Sequence, residues 1–229
     1  MSDIRPPEGA PIRSAQREGG PVTAIVLVGG GGHCQSCMAV LQSAGREIAG
    51  VIDVRRGVAP PGTVWLGDDA WLDTNAARDF VYLVSVGLNR VGPRRAAIYE
   101  AILQRGLSLA TAVASSAVVA PGASIGPGTI VMHQAVVNAG ARIGANCIVN
   151  TAAIVEHGAV LGDHCHAAPG SIVNGDAQVG SGSMIGAGAV LLPGTRIGAN
   201  VMVGAGCVVT RDLLEDGTTW AGAPARKLS

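Results

Sequence analysis

Aromatic side chains are scarce in this chain: three Trp, two Tyr and one Phe among 229 residues. A core of stacked rings is thereby excluded, and small aliphatic side chains must fill the interior. Net charge is missing too. Sixteen Lys and Arg balance sixteen Asp and Glu, so nothing electrostatic draws the chain to nucleic acid or an anionic membrane surface. No apolar run approaches the ~18 residues of a membrane span, and the opening MSDIRPPEGAPIRSAQREGG lacks the apolar segment of a signal peptide. These absences predict a soluble cytoplasmic protein without nucleic-acid or membrane partners. Cysteines are also too few and too irregular for a disulfide framework. Cys34, Cys37, Cys147, Cys165 and Cys207 read as reduced packing residues, and the lone Cys34-x-x-Cys37 has no second pair to complete a zinc site.

What is abundant is glycine, 34 residues, together with Val, Ile, Leu and Ala. Residues 1–21 mix Pro, Gly, Arg and Glu without periodicity and are expected to form a disordered arm. From residue 22 to 108 the pattern is that of a small parallel α/β sheet. AIVLV reads as a strand, GGGG as a loop, and HCQSCMAVLQSAG as a helix closed by Gly45. EIAGVIDV is a second strand ending in Asp53, FVYLVSVG (80–87) a third, and a helix is predicted from Pro93 to about Gln104, before Gly106. Strands that alternate with helices imply a Rossmann-like sheet with parallel strands. The fingerprint G-x-G-x-x-G fails, because its third place is Cys34 counting from Gly29 and Gln35 counting from Gly30. A bound NAD is therefore not expected.

From 109 to 229 another rule takes over. Counting in sixes from Val119 to Val209, fifteen of sixteen positions are Val, Ile or Leu, the exception being Ala167. A small residue stands four places after most of them, as at Ala135, Ala141, Cys147, Ala153 and Cys165. A strict six-residue period over about ninety residues is a solenoid signature, in which each short strand buries one aliphatic side chain and turns before the next.

This pattern resembles the left-handed parallel β-helix of the hexapeptide acyltransferases. Joined to the glycine-loop α/β domain, to IVEHGAVLGDHCHAAPG and to the ending WAGAPARKL, it resembles the family of sialic-acid O-acetyltransferases and sugar N-acetyltransferases that act on nucleotide-linked amino sugars. The resemblance implies acetyl-CoA as co-substrate, no metal, and transfer of acetyl to the amine of a nucleotide sugar, with O-acetylation of a sialic-acid-like sugar as the alternative. It implies His157 as general base, which suits an imidazole of ordinary pKa near ~6.5. It sets Gly31, Gly32, His33, Asp53 and Gly87 against the sugar nucleotide, and His166, Gly175, Ala187, Ala205 and Arg226 against CoA. Asp53 stands where an acid meets a ribose in dinucleotide folds, and flat aliphatic sides, together with the resemblance, which implies active sites between adjacent prisms, predict a homotrimer. The family commonly has an acid directly after the catalytic histidine, where this chain has Gly158. Either another acid such as Asp163, or one of a neighbouring chain, is expected to orient the imidazole instead, or the base is weaker. Two other classes are weighed: a non-catalytic scaffold, and a zinc enzyme like the trimeric β-helix carbonic anhydrases. The zinc pattern would require a histidine at Ala152.

Overall fold

A computed structural model describes residues 23–88 and 91–228; the expected arm at 1–21 lies outside them. The strands β1 (Ile25–Val28), β2 (Ile48–Ile52), β3 (Trp65–Gly67), β4 (Val81–Val84) and β5 (Ser108–Leu109) form one parallel sheet in the order β3-β2-β1-β4-β5. β1 lies at its centre, covered on both faces, which is why all four of its residues are apolar and buried. Helix α1 (Gly32–Ser43) covers one face, packing Cys34, Cys37 and Leu41 on Ile25, Leu27 and Leu83. Helix α2 (Arg94–Gln104) covers the other, packing Tyr99 and Ile102 on Val26, Val84 and Tyr82. Gly45, at φ +64°, reverses the chain after α1 as a helix-ending glycine does. Between β2 and β4 the chain runs through β3 and three short 3₁₀ turns, elements that carry no periodicity in the sequence.

Beyond β5 the chain becomes the left-handed parallel β-helix. Two-residue strands recur every six residues, and each pairs in register with strands eighteen residues away: Val136–Val137 lies between Val118–Val119 and Ile154–Val155. The second residue of each strand points inward and is buried from Ile125 to Val209, each such side chain contributing roughly 1.5–3 kcal/mol. The small residues fill the corners. Thr129 and Ser183 hydroxyls donate to the carbonyls of Gly144 and Gly198, and the thiols of Cys147 and Cys165 to those of Gly162 and Gly180. The cysteines are thus free, buried and satisfied packing groups.

The first residue of each strand points out, and it makes the three sides unlike. One side, with Ile130, Ile148 and His166, is covered by α1 and the loop after β4. The second carries Ser124, Arg142, Gln178 and Arg196 and is polar. The third shows Val118, Val136, Ile154, Ile172, Val190 and Val208, a continuous aliphatic stripe of which Val118 is 58% exposed.

Candidate active site

The four glycines after β1 divide into two pairs. A Cβ on Gly29 would strike Val86, and one on Gly30 would press on Val58, so these two allow close packing. A Cβ on Gly31 or Gly32 would meet nothing within 4 Å. They open onto a cleft of about 640 Å³ lined also by His33, Asp53, Arg55, Gly87, Leu88 and Arg95. Gly31 is the N-cap of α1 and supplies no side-chain cap, which leaves the first N–H groups of the helix turned to the cleft, a setting suited to phosphate. Asp53, 7% exposed, already accepts from Gly30 N and Arg55 N, each at 2.9 Å. Burial opposes ionisation, yet these backbone donors and the Arg55 charge hold its carboxyl below the usual range. It shapes the loop from beneath, with spare lone pairs for a ligand hydroxyl.

At the floor of the cleft lies Arg95, 2% exposed and paired with no carboxylate among the described residues. Its guanidinium donates to the carbonyls of Val84, Val86 and, on the β-helix, Asn146. Burial lowers its pKa to about 10, so it stays charged at neutral pH. His33 lies beside it, its Cβ and Cγ close against Gly87. Burial first, then the charge of Arg95, lowers its pKa to about 4. Among the described residues, His33 Nε2 and Arg95 Nη2 are buried atoms without a hydrogen-bond partner. His166 crosses the junction of the two parts. Its Nδ1 bonds the Leu88 carbonyl at 2.9 Å and its Nε2 meets the Asn150 amide at 3.0 Å. The neutral tautomer with the proton on Nδ1 satisfies both, and burial brings its pKa to about 4. His164 is also at this junction, bonded to Asn146 and edge-on to Tyr99.

His157 stands apart. It sits in the turn between Ile154–Val155 and Val160–Leu161, at the corner joining the aliphatic and polar sides, and its side chain is exposed. The ring leans over Gly175 in the next coil, where a methyl group would fall 2.6 Å from Cε1 and 2.7 Å from Nε2. Among the described residues the imidazole has no hydrogen-bond partner, whereas His133 is bonded to Ser116. Glu156 turns away, accepting from Asn138 Nδ2 and from the backbone N–H of His157. Asp163 belongs to the next corner and accepts the N–H of Ala145 at 2.7 Å, so it is not the acid that orients the ring within this chain.

Ala187 and Ala205 are exposed and stacked in successive coils, Gly206 N donating to Ala187 O. They occupy the corner between the covered and aliphatic sides, across the whole aliphatic side from His157 and Gly175. Arg226 is exposed in the strand Arg226–Lys227, which pairs antiparallel with Thr219–Ala221. The sequence reading missed Arg95 and Leu88. Arg95 could have drawn notice as one of two adjacent arginines opening a helix, but its carbonyl partner Asn146 lies 51 residues away. Among the described residues no group of three His, Cys, Asp or Glu side chains is placed to hold a metal ion. No helix among them is long and apolar enough to cross a membrane.

Residues 24–102 match the family described as PglD N-terminal domain, and residues 158–193 and 176–211 match the bacterial transferase hexapeptide repeat. Comparison with curated proteins gives no match. Among solved structures, the acetyltransferase domain of PglB from Neisseria gonorrhoeae in complex with acetyl coenzyme A is 33% identical. The alignment covers 90% of this chain and 98% of that one, with a TM-score of 0.84. PerB from Caulobacter crescentus, in complex with CoA and GDP-perosamine, is 34% identical over 91% and 98% of the two chains, TM-score 0.84. A mutant GDP-perosamine N-acetyl transferase from the same organism, bound to the same two ligands, gives the same four values. A match to the N-terminal domain model, a match to the hexapeptide repeat and this level of identity over nine-tenths of the chain occur here together. The chain belongs to the sugar N-acetyltransferase family that joins a PglD-type N-terminal domain to a hexapeptide-repeat β-helix.

Proposed function

We propose that the protein transfers the acetyl group of acetyl-CoA to the amine of a nucleotide-linked amino sugar, with His157 as general base. The observation that carries this reading is the exposed imidazole of His157, free of hydrogen bonds, on a corner where glycine makes room for it. An ammonium group cannot attack a thioester, so the base must hold a free lone pair near neutral pH. The amine nitrogen bonds the carbonyl carbon, its proton passes to imidazole, the C–S bond breaks, and the CoA thiolate recovers a proton. A backbone N–H of a turn would steady the oxyanion between these steps.

The nucleotide sugar is assigned to the cleft, its diphosphate on the N–H groups of Gly31, Gly32 and His33, its ribose beside Asp53, and Gly87 and Leu88 along the wall. CoA is assigned to Ala187, Ala205 and Arg226, with Gly175 under the catalytic ring and His166 behind Asn150. His157 and Gly175 lie on one edge of the aliphatic side and Ala187 and Ala205 on the other, and that separation supports a homotrimer in which one chain's His157 edge meets a neighbour's alanine edge. The aliphatic stripe supplies the surface for it. Both co-substrates place the reaction in the cytoplasm. Incubation with acetyl-CoA and a panel of UDP-, GDP- and dTDP-linked amino sugars, followed by mass spectrometry, tests the reading. One acetyl group that survives hydroxylamine is expected on a single class of sugar. A label that hydroxylamine removes would mean O-acetylation, and no transfer with any sugar would favour a non-catalytic scaffold.

A further inference from the structure

A base that works as neutral imidazole is normally held in one tautomer by a third group that accepts its second N–H. In this chain Glu156 and Asp163 are both engaged elsewhere. Asp176 is not. It occupies, one coil further on, the turn position of Gly158, and both residues have left-handed backbone, φ +58° and +67°. Aspartate is among the few side chains that tolerate this conformation. Its carboxylate reaches back along the coil axis into the turn of His157: a Cβ on Gly158 would collide with Asp176 Oδ1 and lie 3.3 Å from Cγ. The imidazole of His157 reaches the opposite way, over Gly175, and Asp176 N donates to His157 O at 3.0 Å. The two side chains therefore pass each other between adjacent turns.

Two other aspartates of the β-helix corners show what a structural carboxylate looks like here. Asp163 and Asp216 lie over Gly144 and Gly198 and each accepts a backbone N–H at 2.7 Å, from Ala145 and Ala199. Asp176 accepts none among the described residues. The same stacking of a left-handed Gly beneath a left-handed side chain recurs at Gly182 and Asn200, where no charge is present. The stacking alone is architecture; the unengaged carboxylate one turn from the exposed imidazole of His157 is not.

We propose that Asp176 is the positioning residue of His157. Its carboxylate accepts the Nδ1–H of the ring when the acceptor sugar is in place, which leaves the Nε2 lone pair to take the proton of the attacking amine. Gly158, lacking a side chain, leaves room for the carboxylate to turn. The proton that Nε2 receives returns to the CoA sulfur. The proposal rests on the reading of His157 as general base, and the experiment separates the two.

In steady-state assays with acetyl-CoA and the amino sugar identified by the panel, His157→Ala tests the base itself. Asp176→Asn keeps the shape and the left-handed backbone while removing the charge. It is expected to lower kcat by about 10-fold or more, between the ~10–100-fold of a lost outer-shell partner and the ~10⁴-fold of a lost triad aspartate, with both KM values unchanged. The acid limb of the kcat/KM profile should move to lower pH, because the ring loses its anionic neighbour. Gly158→Asp alone should also be impaired, since two groups would then share one space. The double variant Gly158→Asp, Asp176→Gly moves the carboxylate to the lower turn and should recover most of the rate. If His157→Ala is inactive but Asp176→Asn keeps its rate, or loses rate without a shift of the profile and without recovery in the double variant, Asp176 is a turn residue and the proposal fails. If His157→Ala stays active, the assignment of the base fails and the proposal falls with it.

Discussion

Histidine occurs in two regions of this molecule in opposite conditions. At the junction of sheet and coil, His33 and His166 are buried beside Arg95, with pKa values lowered to about 4, and His164 packs on Tyr99. At the free corner of the coil, His157 is exposed and its ring lies over Gly175. The same side chain thus joins the two parts together in one place and is left free to react in the other. Environment, not residue type, decides between them: His166, with both nitrogens bonded inside the protein, has no lone pair to offer, and His33 is shut in beside the charge of Arg95. A ring that solvent reaches, over a residue without a side chain, keeps its own.

Removing the free ring should give the largest effect. His157→Ala is expected to lower kcat by ~10²–10⁴-fold, with little change in either KM, because the residue acts on the proton and not on binding. A loss confined to KM would break the contrast by making His157 a binding residue.

The junction should reveal itself in stability instead. His33 and His166 are held neutral, so the folded pKa of each lies near 4, below the ordinary ~6.5 of an unfolded chain. Between these values the unfolded chain binds protons that the folded chain refuses, and stability falls as pH falls, by up to about 1.4 kcal/mol per pH unit for each ring. Asp53, with its carboxyl held low, adds a further loss at still lower pH. Thermal melts from pH 7 to pH 4 should therefore show a steady fall, and His166→Gln should flatten it. A flat profile in the parent protein would mean that the junction rings are not buried in solution.

A smaller effect is expected at the glycine loop. Asp53→Ala removes the carboxylate that holds Gly30 N and Arg55 N. A hydrogen bond to a charged group contributes ~1.5–3 kcal/mol, so KM for the nucleotide sugar should rise by about 10–100-fold while that for acetyl-CoA stays put. Calorimetry on the folded variant checks the split, and an equal loss of both ligands would contradict the assignment of the cleft.

Much of this was legible in the sequence, for a physical reason. In the coil every sixth residue meets the same neighbours, so the period in Val, Ile and Leu spells out the inward column, and even Ala167 is buried in its place. Strands β1, β2 and β4 and both helices were readable because burial on one or both faces imposes runs or helical spacing. Residues 54–79 were not: β3 and the 3₁₀ turns around Trp65 and Trp71 are held by single contacts, such as Trp65 Nε1 to the carbonyl of Asp53, that leave no period. The junction was illegible for another reason. His166 meets Leu88 across 78 positions of chain, and nothing local to either residue announces the pair. The resemblance drew His166 toward CoA, and the structure shows its nitrogens engaged with Leu88 and Asn150.

The smallest expected effect separates the two regions most sharply, because it concerns a histidine only seven places from His157. His164 occupies the next corner of the coil, with left-handed backbone at φ +60°. Its ring bonds the Asn146 amide at 3.0 Å and meets Tyr99 edge-on, centroids 5.4 Å apart, and burial lowers its pKa. Those contacts tie α2 to the coil. His164→Ala gives up one hydrogen bond and one aromatic contact, each worth roughly 0.5–1.5 kcal/mol, and should lower the melting temperature by a few degrees. Asn146 also carries the carbonyl that Arg95 grips, so a modest rise in KM for the nucleotide sugar is the most that the active site should register. Turnover should stay within about twofold of the parent, since no group that handles the proton has moved. A collapse of kcat comparable to that of His157→Ala, in a variant that still melts cooperatively, would show that the corner and the junction are one catalytic unit.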